Sequence, residues 1–259
     1  MVTPRLLSAL SLVCLSVVAV EAQPRPAPAK PRPVRPFVEH GFITLNATAQ
    51  ASAADLTDRV LFNTNAETGT IDARYPGKTA MLADVTAGFR VTGRLGIALG
   101  GSRASSSGSA SVSADIPHPF FDNQHRQVEG TATGVSRTEI AAHLQLYYDL
   151  RPKGPWRIRV FAGPSYFDVE QEVITEIDAA ETFPYDTASF RSAGTARAKG
   201  SGIGFNGGAD IARMFTRRFG AGVLIRYARG RVDLDAPESR SVSTDGGGLQ
   251  AGGGIRVLF

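Results

Sequence analysis

The 259-residue sequence is poor in cysteine and histidine, and beyond its first two dozen residues it has no long apolar run. Each scarcity excludes something. The one cysteine, Cys14, lies inside the apolar stretch Leu6–Val20. That stretch follows Arg5 and ends in the small residues Val20 and Ala22, which suit a cut before Gln23. This is the pattern of a secretory signal peptide, so residues 1–22 are expected to be removed. Cys14 follows Val13 and sits mid-run, which speaks against lipidation. The expected mature chain then has no thiol, and so no disulfide framework, thiolate metal site or cysteine nucleophile. His40, His118, His125 and His143 are too scattered to form a metal motif, and no metal or cofactor is expected. With no further run of about 18 apolar residues, no transmembrane helix is expected.

A real charge excess is also missing. The formal charge is +4, but QPRPAPAKPRPVRP, residues 23–36, holds Arg25, Lys30, Arg32 and Arg35 without one acid. From Phe37 onward the chain carries 23 basic and 23 acidic residues. The basicity therefore belongs to a Pro-rich linker, read as an extended, solvated spacer in preference to a weak tether to an anionic surface. Nucleic acid is not an expected partner. Residues 37–259 contain no second Pro-rich break and read as one domain, a size that all-β barrels reach undivided.

What the chain has is alternation with a period of two. Ile43, Leu45, Ala47 and Ala49 share one face, and Thr44, Asn46, Thr48 and Gln50 the other. Met81, Ala83, Val85, Ala87, Phe89 and Val91 face away from Asp84, Thr86 and Arg90. The pattern recurs from Leu95, Ile140, Trp156, Ile203, Phe219 and Leu249, giving eight strands of about ten residues or more, enough to cross a bilayer when tilted. Tight turns, TGR, RPKGP and TRRFG, follow the even strands. Longer polar loops, near 51–78, 115–126, 177–195 and 235–242, follow the odd ones. Strands three and five, which lead into the second and third of these loops, are expected to run on past the membrane.

A soluble sandwich or lipocalin-type barrel would alternate too, with its apolar side inward. Here the polar side is rich in Gly, Ala, Ser, Thr and Asn, with charges of both signs: Asp84, Arg90, Glu139, Arg157, Arg159, Asp210, Arg226 and Arg256. Such a face suits a narrow, crowded lumen in which those ions are expected to pair. Phe89, Tyr148, Trp156, Phe215, Phe219 and Phe259 gather beside the tight turns, where an interfacial aromatic girdle would fall.

Together these features make residues 37–259 resemble the small eight-stranded outer-membrane β-barrels. The resemblance implies an all-β fold: an antiparallel up-and-down transmembrane barrel with short periplasmic turns and long extracellular loops. It also implies outer-membrane lipid as surroundings and the barrel assembly machinery as a partner. Its most specific element is the last strand, in which Ile255, Val257 and Phe259 alternate to the final residue; in that family such an ending is the assembly signal.

Three motifs invite other readings. Gly77-Lys78-Thr79 ends like a phosphate loop but has Asp72 where the first glycine belongs. Gly202, Gly204 and Gly207 match a dinucleotide fingerprint but lie inside an alternating strand with no helix after it. His118, Asp122 and His125 share one loop and are the only candidates for hydrolytic chemistry. The reading is therefore a non-enzymatic barrel with a structural or surface-interaction role through its loops. FFDN at 120–123 and ETFPYD at 181–186 are the best contact candidates for an extracellular ligand. The alternatives are a narrow channel and, behind it, a lipid-modifying enzyme.

Overall fold

Each alternating segment becomes a strand because one of its faces can be removed from water while neighbouring strands satisfy its backbone. The computed structural model describes residues 39–259 apart from 53, 54, 151 and 153, so the signal peptide and linker lie outside the described residues. The strands are β1 Gly41–Ser52, β2 Leu56–Thr64, β3 Glu67–Tyr75, β4 Thr79–Thr92, β5 Leu95–Pro117, β6 His125–Leu150, β7 Trp156–Glu181, β8 Ala188–Met214, β9 Phe219–Ala236 and β10 Arg240–Leu258. A single 3-10 turn, Pro237–Ser239, joins the last two. Every pairing is antiparallel. β1, β4, β5, β6, β7, β8, β9 and β10 follow one another around a ring. β1 closes it against β10, from Phe42 opposite Leu258 to Ser52 opposite Gly248. Among the described residues no helix is long and apolar enough to cross a membrane.

The eight-stranded ring matches the sequence reading, but the long loops do not. Residues 51–78 hold a hairpin, β2 and β3, rather than a polar loop. Its two turn residues, Asn65 and Ala66, adopt positive φ of 52° and 66°, the twist that a two-residue hairpin turn requires. Leu56, Val60, Ile71, Ala73 and Tyr75 alternate inward along it. β3 then pairs with the far half of β5, from Thr70 opposite Asp115 to Arg74 opposite Ser111. The other three connections shrink because their flanks are strand: 118–124, 182–187 and the Pro237–Ser239 turn remain. SSSGSASVS looks like loop by composition, yet Ala110 and Val112 within it are buried.

The reason for this length is an exchange of polarity along single strands. On β9, Phe219, Val223, Ile225 and Tyr227 face out while Arg226 faces in; from the next position on, Arg229, Arg231, Asp233 and Asp235 face out while Ala228, Val232 and Leu234 are buried. On β7 the exchange falls between Tyr166, which faces out, and Phe167, which faces in and is followed outside by Asp168. On β5 it falls where outward Arg103 succeeds Leu99. The barrel thus has two storeys. At the turn end, an exposed apolar belt of roughly nine to eleven residues per strand, the length a tilted strand needs to cross hydrocarbon, surrounds a mainly polar interior that also holds the apolar cluster Phe42, Ala98, Tyr147, Phe161, Leu224 and Leu258. At the loop end, charged residues face out around an ordinary apolar core that includes Val60, Ile71, Val112, Phe167, Val173, Ile174, Val232 and Leu234.

Phe167 lies at the floor of that core, its ring edge-on to His143 with centroids 6.3 Å apart. Space for it comes from Gly230 and Gly246: a Cβ on Gly230 would stand 2.7 Å from the Phe167 ring. Tyr75 ties the hairpin to the wall. The Ile174 N–H donates to its hydroxyl at 2.7 Å, and burial pushes the phenol up to about 12.

The two storeys make opposite demands, which a trio of substitutions on β9 separates. Val223→Asp, outside in the lower storey, and Leu234→Asp, inside in the upper, are each expected to abolish folding, since an isolated carboxylate in hydrocarbon or in a core costs several kcal/mol. Asp233→Ala, outside in the upper storey, is expected to be within about 0.5 kcal/mol of neutral. The check is the gel-mobility difference between unheated and boiled samples in SDS.

Candidate functional site

Two assemblies of polar residues stand out, one in the lumen and one at the loop tip. The lumen is lined by the inward face of the lower strands. Near the turn end, Arg90 lies 3.2 Å from Glu39 and 3.5 Å from Asp149. Arg159 lies 3.0 Å from Asp149 and 3.6 Å from Glu39, and its guanidinium carbon sits 3.4 Å from the centre of the Phe42 ring. Arg256 grips Asp210 through Nε and Nη2. Higher up runs a continuous relay. Asn46 donates to Asp84 at 2.9 Å; Asp84 lies 2.9 Å from Arg226; the Arg226 Nε donates to Gln250 at 2.6 Å. Gln250 donates to Gln50 at 2.7 Å, and Gln50 to Glu139 at 3.2 Å. Glu139 also accepts the Gly247 N–H and lies 3.6 Å from Arg137. His143 spans Ser102 and Ser165 at 3.1 and 2.8 Å.

Asp84, Arg90, Glu139, Arg159, Asp210, Arg226 and Arg256 therefore all stand in the lumen with charged or hydrogen-bonding partners. Arg157 does not join them: half-buried at the turn rim, it donates to the carbonyl of its neighbour Trp156. Sequence reasoning overlooked Glu39, Arg137 and Asp149. Glu39 precedes the first alternating residue, while Arg137 and Asp149 lie at the ends of the β6 apolar row. Among the described residues the network carries five carboxylates and five guanidiniums. Ile255 faces out. Phe259 exchanges backbone hydrogen bonds with Gly41, at 2.8 and 3.0 Å, at the seam that closes the ring.

At the other end, 118–124 and 182–187 meet, and a buried arginine joins them. Arg126 donates through Nη2 to the Pro117 carbonyl at 3.0 Å and through Nη1 to the Tyr185 carbonyl at 3.2 Å. The same Nη2 lies 2.8 Å from the Glu181 carboxylate. The β2–β3 turn is attached as well: Asn65 donates to the Pro117 carbonyl at 3.1 Å, and the Asn123 N–H to Glu67 at 2.6 Å. His118 is buried and folds its own loop. Its Nδ1 accepts the N–H groups of Phe120 and Phe121, at 3.1 and 3.2 Å, which places the ring proton on Nε2, 3.8 Å from Asp186. His125 instead meets Asp115 at 2.9 Å and Glu67 at 3.6 Å, and Asp122 accepts from Asn123. His118, His125 and Asp122 are thus engaged separately.

This scaffold holds rings out to solvent. Phe120, Phe121 and Phe183 are 67%, 53% and 79% exposed. Phe120 and Phe183 pack edge-on against Tyr185, with centroids 5.5 and 6.1 Å away. The FFDN and ETFPYD segments, 60 residues apart in sequence, form one surface.

No protein-family model matches the chain, and no curated protein matches its sequence. Solved outer-membrane barrels are similar in structure. Neisserial surface protein A is 14% identical with a TM-score of 0.41, covering 85% of this chain and 97% of its own. The outer membrane protein OprG from Pseudomonas aeruginosa is 10% identical with a TM-score of 0.46, covering 85% and 96%. The attachment invasion locus protein Ail of Yersinia pestis is 8% identical with a TM-score of 0.35, covering 84% and 99%.

Two substitutions probe the two assemblies. Arg226→Ala leaves the fully buried Asp84 without its countercharge and is expected to cost about 3–5 kcal/mol, read as a lowered urea midpoint for unfolding from lipid. Arg226→Leu with Asp84→Leu is expected to recover most of that loss. Arg126→Ala is expected to leave barrel stability nearly unchanged but to admit protease at 118–124 and 182–187, seen as two new fragments under limited digestion.

Proposed function

We propose that this chain is an outer-membrane barrel that anchors a rigid β-built stalk at the cell surface and presents the Phe120–Tyr185 tip to an extracellular partner. The observation that carries this reading is the exchange of polarity along β5, β7 and β9. An apolar belt about as tall as a hydrocarbon core is unfavourable in water, and the charged exterior that begins directly above it is unfavourable in lipid. The chain is therefore matched to a boundary, with the belt in the bilayer and the long strand ends outside.

The interior weighs against a channel. Between Phe42, Asp84, Arg159, Asp210 and Arg226 there is a cavity of about 20 Å3, room for one or two waters. Above it stand Phe167 and the apolar core, with a second small cavity of about 60 Å3 beside Gln50, Tyr75, Arg137 and Glu139. Paired arginines and carboxylates hold the lumen shut with bonds that an ion would have to break. Catalysis has no part in the reading: the loop histidines serve as backbone acceptor and as partner to Asp115 and Glu67.

The mature chain is expected to contain no thiol, so single cysteines report orientation cleanly. In intact cells a membrane-impermeant maleimide is expected to label Gln124→Cys, at the tip, and to label Thr216→Cys, in the β8–β9 turn, only after the membrane is opened. Labelling of both in intact cells, or recovery of the protein in the soluble periplasmic fraction, would overturn the proposal. Purified protein in planar bilayers is expected to give no conductance steps.

A further inference from the structure

The tip shows more than a place of contact, because its chemistry selects among partners. Three exposed phenylalanines in one patch are unusual on a surface that stays in water, and such patches mark sites of association. The patch is also rigid. Arg126, Asn65, Glu67 and His118 fix its three supporting turns through the bonds described above, so little ordering remains to be done on binding.

The charged side chains exposed around the rings are acidic, and the one base facing them is the buried His118, whose Nε2 lies 3.8 Å from Asp186. Asp122 and Asp186 are exposed at the rim, with Glu181 beside them. The guanidinium of Arg126 is buried beneath the rings and committed to Glu181 and two carbonyls. Among the described residues no lysine or arginine lies within ion-pair distance of Asp122 or Asp186. Phe120 and Phe183 meet Tyr185 at interplanar angles of 65° and 87°, so the cluster presents several ring faces at steep angles. Ring faces attract cations, and carboxylates beside them reinforce that attraction. A flat sugar ring finds no continuous platform here. A phospholipid surface would have to desolvate Asp122 and Asp186 before the rings could enter it.

We propose that the tip binds a basic, partly apolar protein segment. Its lysine or arginine side chains lie against Asp122, Asp186 and the exposed ring faces, and its apolar side chains lie among Phe120, Phe121 and Phe183. This inference rests on the surface-display reading above and names the chemistry of the partner.

The test uses the full barrel in phosphatidylcholine nanodiscs and two immobilised probes, a Lys–Leu peptide and its Glu–Leu counterpart. The Lys–Leu peptide is expected to bind, more weakly as salt rises, and the Glu–Leu peptide not to. Asp122→Asn with Asp186→Asn, and separately Phe120→Ser with Phe183→Ser, are each expected to weaken Lys–Leu binding at least about tenfold. Asp72→Asn with Asp233→Asn, which removes the same charge from the stalk, is expected to leave it unchanged. Gel-mobility shifts on boiling confirm that every variant is folded. Equal binding of both peptides, equal loss in the stalk control, wild-type binding by the tip variants, or capture of protein-free phosphatidylcholine vesicles in place of the peptide would overturn the inference. Its failure is distinct from failure of the surface-display reading, because the maleimide experiment reports whether Gln124→Cys is outside the cell regardless of what the tip binds.

Discussion

A closed ring of strands has two faces and no edges, and everything else in this protein follows from what each face must meet. Closing β1 against β10 satisfies the backbone groups that an open sheet would expose, which is what permits strands in hydrocarbon at all. Once the backbone is satisfied, side chains alone decide the environment. Because successive residues point to opposite faces, a strand can carry apolar residues outward for one stretch and inward for the next without a kink or a bulge. β9 does this between Tyr227 and Ala228, and a continuous ladder with β10 runs across the change. The lower and upper storeys are one sheet along these strands.

The lumen shows what it costs to fill a narrow barrel with polar side chains. Side chains of the inward face have no solvent, so each charge brought in requires its opposite at contact distance. Arg226 answers Asp84, Arg256 answers Asp210, and Arg90 and Arg159 share Glu39 and Asp149. Apolar filling would be simpler, but the same residues must also stay off the lipid face. A polar inner row opposite an apolar outer row fixes the register, since a one-residue slip would send Asp84 and Arg226 into hydrocarbon. The polar inner row therefore opposes misregistration.

How much of this the sequence shows depends on whether neighbours along the chain or across strands decide it. Rows such as Phe219, Val223, Ile225 and Tyr227, and the six aromatics near the tight turns, are legible because period two is a local property. So are the inward charges, as members of the opposite row. Their partners are not. Asp149 reaches Arg159 only because β6 and β7 pair in the register that sets those residues opposite each other. Glu39 joins from outside any alternating run. The hairpin within 51–78 and the long strand ends were also written locally, in Val60, Ile71, Val112 and Leu234. They escape notice because a reading that assigns one lipid-facing row per strand stops when that row turns polar, just where the inward row turns apolar. The charges of Arg229, Arg231 and Asp233 look like loop composition until Ala228, Val232 and Leu234 between them are counted.

The tip joins both kinds of information. The exposed aromatics of FFDN and ETFPYD are visible as local exceptions, apolar residues set among turn formers. That they form one surface is a consequence of Arg126, a residue with nothing distinctive in its own neighbourhood. Its burial is justified only by Glu181 and two carbonyls from different loops, and without them a guanidinium under an aromatic patch would be as unfavourable as one in the lumen. The same device thus serves both ends of the barrel. A buried arginine paired with a carboxylate stands at each end, Arg226 with Asp84 in the lumen and Arg126 with Glu181 at the tip.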